Sequence, residues 1–119
     1  MVIRADTVAP FPFGELVIRD YTPLACLEEL GISLAQIEVP PGATHPLARN
    51  ARSNKIYVVL SGSVTFGSSE ELAAGDVYVV PAGERFRYHN STQEPAELLL
   101  LHAPPFDLVD EEIEVDSST

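Results

Sequence analysis

The chain has 119 residues, of which 45% are hydrophobic and 21% are charged. That length suits one compact domain, and that composition is ordinary for a folded globular protein. Seven Lys and Arg residues stand against 18 Asp and Glu, which gives a formal net charge of -11. Because nucleic-acid phosphates and anionic lipids are bound by clustered cations, this balance argues against both as partners.

The single cysteine, Cys26, excludes an internal disulfide and an all-cysteine zinc site. The apolar runs are much shorter than the ~20 residues that a membrane helix needs. The first residues contain an early acid and no apolar core of a secretion signal. A cytoplasmic location is therefore the default expectation.

Short apolar stretches bounded by turn residues follow one another along the chain. Residues 14–20 and 31–39 are predicted strands, and a Pro-Pro-Gly sequence ends the second. Residues 56–60 and 64–66 flank a Ser-Gly-Ser turn and predict a hairpin. Further strands are predicted over residues 76–80, 85–89 and 96–103.

One segment favours a helix, because leucines recur every third residue over 24–30. Short strands at this spacing, each closed by Gly, Pro or Asn, predict an all-β sandwich or barrel. The chain contains no internal repeat. We divide the single domain into an N-terminal strand and connecting segment (1–29), a barrel core (30–106) and an acidic C-terminal segment (107–119).

Two of the turn-bounded blocks resemble the two motifs of the cupin family of small jelly-roll barrels. The second family motif, G-x5-P-x-G-x2-H-x3-N, is matched in register by Gly75, Pro81, Gly83 and Asn90. The first, G-x5-H-x-H-x3-4-E-x6-G, is matched at its ends by Gly42 and Gly62. The resemblance covers most of the chain and implies a single-domain, cupin-like jelly-roll β-barrel.

The resemblance also implies a metal site, but this chain lacks the ligands of the family. The two histidines, the glutamate and the later histidine of the motifs fall on Ala48, Asn50, Lys55 and Phe86. A metal cation needs deprotonated nitrogen or oxygen donors, and the ammonium of Lys55 would repel it. We therefore predict that the usual metal site is absent and that no cofactor is bound.

A relocated metal site built from His45, His89 and His102 is the remaining route to a metal centre. His45 lies outside the ligand register, and strand alternation puts His89 on the face opposite the pocket. The pattern leaves the direction of His102 open. Convergence of three imidazoles is therefore disfavoured, and surface or packed histidines are the competing interpretation.

Strand alternation gives the expected lining of the barrel interior. That lining consists of Ala48, Asn50, Lys55, Tyr57, Val59, Phe86, Tyr88 and His102. An apolar wall with a few polar groups is typical of a small-molecule site.

Lys55 is the only lysine of the chain. Burial lowers the pKa of a lysine, and the neutral amine can act as a base or attack a carbonyl group. The competing interpretation is a structural lysine paired with Glu38 or Glu97. The candidate acid–base groups are Lys55, Tyr57, Tyr88 and His102, although core aromatics with satisfied hydroxyls are the alternative for the tyrosines.

The first functional hypothesis is a metal-independent cupin that binds a small molecule inside the barrel. The alternatives are a metal-independent isomerase, cyclase or lyase, and a metal-dependent enzyme such as a dioxygenase with relocated His ligands. A structural or regulatory subunit that binds a partner through its outer sheet is a further alternative. Apolar residues on both faces of the strand around Leu98–Leu101 favour a homodimer.

Overall fold

The structure is a computed structural model that describes residues 1–24 and 26–114. These residues form eleven strands and three short 3-10 helices. The strands are β1 (Phe11–Phe13), β2 (Leu16–Asp20), β3 (Ser33–Val39), β4 (Thr44–Asn50), β5 (Asn54–Ser61), β6 (Ser63–Phe66), β7 (Glu70–Ala73), β8 (Val77–Val80), β9 (Arg85–His89), β10 (Ala96–Ala103) and β11 (Glu111–Ile113). The 3-10 helices are Ala5–Thr7, Leu27–Leu30 and Leu108–Asp110, and none of them is long enough to cross a membrane.

The strands form two antiparallel sheets, in the orders β1-β2-β3-β10-β5-β8 and β11-β4-β9-β6-β7. Strand β10 lies in the middle of the first sheet, where Leu98 pairs with Ile37 on one side and Val59 on the other. Strands that follow each other in sequence, such as β3 and β4, lie in different sheets. This arrangement is typical of a double-sheet jelly roll. The all-β prediction is therefore confirmed.

The core lies between the two sheets and follows strand alternation. Along β10, Leu98 and Leu100 are buried, whereas Leu99 and Leu101 are half-buried on the other face. Aromatic rings fill the middle of the core, with the centroid of Tyr57 5.1 Å from that of Phe66 and 5.4 Å from that of Tyr88.

Two residues of the family motifs serve the fold rather than the chemistry. Gly62 has φ +74°, and a Cβ there would lie 2.6 Å from the carbonyl oxygen of Pro95, so that only glycine fits. Asn90 is fully buried, and its amide nitrogen donates to the carbonyl oxygens of Val39 and Glu94 at 3.0 and 2.7 Å. These two residues fix turns at which the strands change direction.

Four strands, β1, β4, β7 and β11, were not predicted. Strand β4 reads Thr-His-Pro-Leu-Ala-Arg-Asn, and its pairing with β9 is irregular between His45 and Ala48. A proline and a bulge interrupt the alternation that identifies a strand. The predicted helix over 24–30 is reduced to the 3-10 helix Leu27–Leu30, because seven residues are too few for a stable α-helix.

The acidic C-terminal segment is tied to the barrel through residue 114. Strand β11 pairs with β4, which brings Glu111 opposite Asn50. The carboxylate of Asp110 accepts hydrogen bonds from the backbone nitrogens of Arg52 and Ser53 at 3.0 and 3.2 Å. Residues 115–119, which complete the acidic segment, lie outside the described residues.

Candidate functional site

A cavity of about 380 Å³ lies between the first sheet, the start of β4 and the C-terminal segment. Most of its wall is apolar, and six buried ionisable side chains converge on it. They are His45, Lys55, Tyr57, Tyr88, His102 and Glu111. A mainly apolar cavity with a few polar groups is the usual form of a small-molecule site.

Lys55 is the cation of this cavity. It is 2% exposed, and its Nζ lies 3.6 Å from Oε1 of Glu111 and donates to the hydroxyl of Tyr57 at 3.3 Å. The ammonium also sits 4.0 Å from the centroid of the Phe86 ring, a cation–π contact. Burial lowers the pKa of Lys55 to about 8, although the charge of Glu111 opposes the shift.

The expected partners of Lys55, Glu38 and Glu97, are not the ones the structure shows. These two residues face each other across β3 and β10 on the outer side of the sheet, where Glu97 accepts a hydrogen bond from Gln36 at 2.9 Å. The partner is Glu111, which comes from β11 at the far end of the chain.

Glu111 is the functional residue that sequence reasoning missed. Its side chain is 4% exposed and contacts both Lys55 and His45. Burial raises the pKa of this carboxyl, but the contact with His45 and the charge of Lys55 outweigh burial, so the pKa lies below its ordinary value. The carboxylate therefore stays ionised and holds the two basic groups in place.

His45 has a defined tautomer. Its Nδ1 lies 2.7 Å from the carbonyl oxygen of Pro46, which can only accept, so Nδ1 carries a hydrogen. Its Nε2 lies 3.5 Å from Oε1 of Glu111. Nε2 carries no hydrogen in this tautomer and lies beside both the carboxylate and the cavity. The His45–Glu111 pair can therefore take up a proton at Nε2 and release it again.

His45 was not among the residues expected to line the barrel interior, yet it lies at the cavity. The side chain is buried, and its ring centroid lies 4.9 Å from that of Phe86 and 5.2 Å from that of Tyr88. Alternation counted back from Ala48 turns His45 outward, but the bulge between the two residues reverses its direction. Pro46 is the one sequence signal that points to this bulge.

Two tyrosines bring hydroxyl groups to the cavity. Tyr57 and Tyr88 are each 1% exposed, and burial raises the pKa of both phenols above its ordinary value. The hydroxyl of Tyr88 has no hydrogen-bond partner among the described residues. An unpaired buried hydroxyl is costly, so a ligand that accepts or donates a hydrogen bond there would be stabilised.

His102 lies on the inner face of β10 and contributes a neutral imidazole. It is 5% exposed, and its ring centroid lies 5.0 Å from that of Phe106. Burial lowers its pKa to about 3, and the charge of Lys55 acts in the same direction. Its Nε2 has no partner among the described residues, so it is a second unpaired polar atom beside the cavity.

The remaining predicted pocket residues are buried but do not line the cavity. This group consists of Ala48, Asn50, Val59 and Phe86. Of the four ligand positions of the motif, Lys55 is the one that reaches the cavity. His89 lies elsewhere, in an open depression beside β4 and β9.

The residues at the family's ligand positions do not fit a metal ion. Ala48 and Phe86 offer no donor atom, and Lys55 places a positive charge at the position of the carboxylate. His45 and His102 reach the cavity but His89 does not, so the three histidines do not converge. Over residues 1–24 and 26–114, no group of three or more His, Cys, Asp or Glu residues is arranged to hold a metal.

Comparison with known proteins places the fold in a family. Residues 35–102 match the cupin domain. Germin-like protein 5-1 of Oryza sativa subsp. japonica is 33% identical over 120 residues, covering 78% of this chain and 52% of that protein. Germin-like protein subfamily 2 member 1 of Arabidopsis thaliana is 29% identical, covering 73% and 44%. The chain thus spans about half the length of these relatives.

Solved structures show the same fold at low sequence identity. The nucleoside dehydratase PAC13 of Streptomyces superposes with a TM-score of 0.77 at 22% identity, covering 96% of this chain and 90% of that one. A predicted oxalate decarboxylase of Thermotoga maritima gives 0.76 at 20% identity, covering 87% and 99%. Since the family match spans more than half of the chain and the two-sheet barrel agrees with it, this protein belongs to the cupin family.

Proposed function

We propose that this cupin binds a small molecule in its cavity and catalyses a metal-independent proton transfer on it, as a lyase or an isomerase. The observation that carries the proposal is the chain of contacts from His45 through Glu111 to Lys55 on one cavity wall. A base, an orienting carboxylate and a cation within one partly apolar site are the parts that such a reaction needs.

The His45–Glu111 pair acts as the base. Its Nδ1 hydrogen is held by the carbonyl of Pro46, so Nε2 is the nitrogen that exchanges a proton with a ligand. A carbon next to a carbonyl group is a usual place for an enzyme base to remove a proton. Glu111 orients the ring and stabilises the imidazolium that forms.

Lys55 stabilises the negative charge that develops on the carbonyl oxygen of the ligand. Below pH about 8 its side chain is an ammonium group, already fixed between Glu111 and Tyr57. A fixed charge in a water-poor cavity stabilises an oxyanion more than the same charge does in water. The unpaired hydroxyl of Tyr88 and the imidazole of His102 provide further hydrogen bonds to the ligand.

Loss of water is the reaction that these groups support best. The pair removes a proton from the carbon, and the electron pair moves onto the carbonyl oxygen beside Lys55. The bond from the neighbouring carbon to its hydroxyl group then breaks, and the imidazolium returns its proton to the departing oxygen. The products are an unsaturated carbonyl compound and water, so protons and electrons balance.

The solved neighbours support this choice. PAC13 is a nucleoside dehydratase, and its structures with uridine include variants in which a histidine or a tyrosine is replaced. This chain has two histidines and two tyrosines on its cavity wall. The oxalate decarboxylase neighbours point to decarboxylation as an alternative reaction.

The test is a chelator-containing assay in deuterated water. Small β-hydroxy aldehydes and ketones, including oxidised nucleosides, are followed by NMR for deuterium uptake and by mass spectrometry for loss of water. We expect wild-type turnover with at least one of them, and a loss of about 100-fold or more in His45→Gln and Lys55→Met. His89→Gln, outside the cavity, is the matched control. Full activity in both cavity variants, or activity that the chelator abolishes, would refute the proposal.

A binding protein without catalysis is the second candidate. It is favoured by the two buried polar atoms that lack a partner, the hydroxyl of Tyr88 and Nε2 of His102. A ligand would satisfy both even if no proton moves. In the same assay, saturable binding without deuterium uptake or water loss would select this candidate.

We also propose that a second copy of the chain covers the outer face of the first sheet. The part of that face formed by β5 and β8 exposes Ile56, Leu60, Val77 and Val79, while Glu38 and Glu97 lie on the part formed by β3 and β10, in a chain of net charge -11. An uncharged patch can meet its own copy without opposing like charges. Sedimentation velocity should show a dimer, and Val79→Glu should convert it to a monomer.

A further inference from the structure

The cavity wall divides into an apolar part and a polar part. Phe11 and Phe13 of β1, together with Phe106 and Leu108 after β10, line the apolar part. Phe11 is 43% and Leu108 66% exposed, so these side chains remain open to solvent at the mouth. An apolar ring of a ligand would cover them and gain the free energy of that burial.

The apolar part is held in position by the fold. The backbone nitrogen of Phe106 donates to Oγ of Ser33 at 2.8 Å, and its ring packs against His102. A ring-bearing ligand would therefore lie beside Phe106, with its polar end directed at Lys55 and Tyr88. Both β1 and Phe106 lie outside residues 35–102, which match the cupin domain.

The charges of the cavity are mostly negative. Asp20 and Glu28 line it together with Glu111. Of the seven Lys and Arg residues in the chain, only Lys55 lines it, and Glu111 already pairs with that ammonium. Arg19, next to Asp20 on β2, alternates onto the opposite face of the sheet.

A phosphate group would find little support in this cavity. Proteins bind phosphate with arginine or lysine side chains, or with free backbone nitrogens at a helix start. The single ammonium here is shared with a carboxylate, and two further carboxylates would repel a dianion. Uncharged hydroxyl and carbonyl groups meet no such repulsion.

We propose that the cavity selects an uncharged ligand in which a planar ring is joined to a hydroxylated part, such as an unphosphorylated nucleoside, and rejects its phosphorylated form. The proposal rests on the proposed function for the location of the site, but not for the reaction.

Calorimetric titration with uridine, thymidine and adenosine, each against its 5′-monophosphate, tests the selection. We expect at least one nucleoside to bind and its monophosphate to bind about tenfold more weakly, or worse, at low ionic strength. Added salt should reduce the difference in affinity between nucleoside and monophosphate, because the Debye length falls from about 10 Å at 0.1 M to about 3 Å at 1 M. Equal or tighter binding of the monophosphate, or no binding of any nucleoside at millimolar concentration, would overturn the proposal.

The double variant Asp20→Asn, Glu28→Gln tests which charges discriminate. It should improve monophosphate binding several-fold relative to nucleoside binding, so that the ratio of the two dissociation constants falls. Asparagine keeps the side-chain oxygen that accepts from the backbone nitrogen of Thr22 at 3.0 Å, so the turn is preserved. Glu29→Gln is the matched control, since Glu29 follows Glu28 in the same 3-10 helix but does not line the cavity. If the ratio of nucleoside to monophosphate affinity is unchanged in the double variant, Asp20 and Glu28 do not cause the discrimination and the electrostatic argument is refuted.

Two outcomes separate this inference from the proposed function. If nucleosides bind in preference to their monophosphates but no compound exchanges a proton, the selection stands and the catalytic proposal fails. If phosphorylated and unphosphorylated carbonyl compounds are converted with equal efficiency, and the conversion depends on His45 and Lys55, the catalytic proposal stands and the selection fails.

Discussion

Strands β4 and β11 lie side by side at one edge of the second sheet, yet they contribute to the site in opposite ways. Strand β4 carries two positions where the family holds metal ligands, and they are now Ala48 and Asn50, buried away from the cavity. Strand β11 lies beyond the family match and supplies Glu111 to the cavity. Among the ionisable groups at the cavity, His45 of β4 and Glu111 of β11 thus lie outside the family's ligand positions, whereas Lys55 occupies one of them.

The two regions also differ in what holds them in place. The inner residues of β4 are fixed by packing in the barrel core. Strand β11 depends on a short ladder with β4 and on the carboxylate of Asp110. Substitutions that weaken the contacts of β11 should therefore displace Glu111 from the site while the barrel remains folded.

The largest expected effect comes from Glu111→Gln. This change leaves the buried ammonium of Lys55 without its carboxylate, and we expect the free energy of unfolding to fall by on the order of 3 kcal/mol. Urea unfolding at pH 7 measures it. The neighbouring Glu112→Gln is the matched control, because Glu112 pairs with Arg49 in solvent and should cost less than about 1 kcal/mol.

The double variant Glu111→Gln, Lys55→Met separates ion pairing from other causes. Removing both charges should restore much of the lost stability, since an apolar side chain of similar length suits a buried position. If the double variant is as unstable as Glu111→Gln alone, the contact between these residues is not what stabilises β11.

A smaller effect is expected from acid. The pKa of His102 is lowered to about 3, so between pH about 6.5 and 3 the unfolded chain binds a proton that the folded chain does not. Stability must then fall as the pH falls through this range, by on the order of 2 kcal/mol from this residue at pH 5. The lowered pKa of Glu111 acts in the same direction.

Urea unfolding of His102→Gln at pH 7 and pH 4 measures how much of the acid-induced loss of stability is due to this residue. The variant should lose less stability between the two pH values than the wild type does. His89→Gln, on a histidine outside the cavity, should keep the wild-type loss. Equal losses in all three proteins would mean that His102 is protonated without penalty in the folded state.

Asp110→Asn should weaken the attachment of β11 to the barrel without removing the ion pair between Lys55 and Glu111. Asparagine keeps one oxygen acceptor but loses the charge-assisted bonds to the backbone nitrogens of Arg52 and Ser53. We expect a loss of about 1 to 2 kcal/mol. Hydrogen exchange should rise in β11 while the amides of β10 keep their protection. Uniformly faster exchange across the barrel would contradict a local role for Asp110.

The difference between these regions also explains what could be read from the sequence. Glycine and proline spacing predicted the barrel, because tight turns depend on local backbone conformation, as at Gly62. Glu111 was not identified because β11 pairs with β4, which is far away in the sequence. The residue also lies within a run of acids that is typical of a solvated tail. His45 was left out of the expected lining, and alternation counted from Ala48 would not have recovered it, because a single bulge reverses the direction of the side chain.

The smallest effect on stability, and the sharpest test of the cavity, is expected from Tyr88→Phe. The hydroxyl of Tyr88 is buried without a partner among the described residues, so its removal should change the free energy of unfolding by less than about 1 kcal/mol. If a ligand supplies the missing partner, the same variant should lose about fivefold to tenfold in affinity for a nucleoside that the wild type binds. Tyr57→Phe is the matched comparison, because the hydroxyl of Tyr57 already accepts from Lys55, so its loss should affect stability as well as binding. A Tyr88→Phe protein that is clearly destabilised and binds unchanged would mean that this hydroxyl serves the barrel, and that the ligand lies nearer the mouth lined by Phe11 and Phe106.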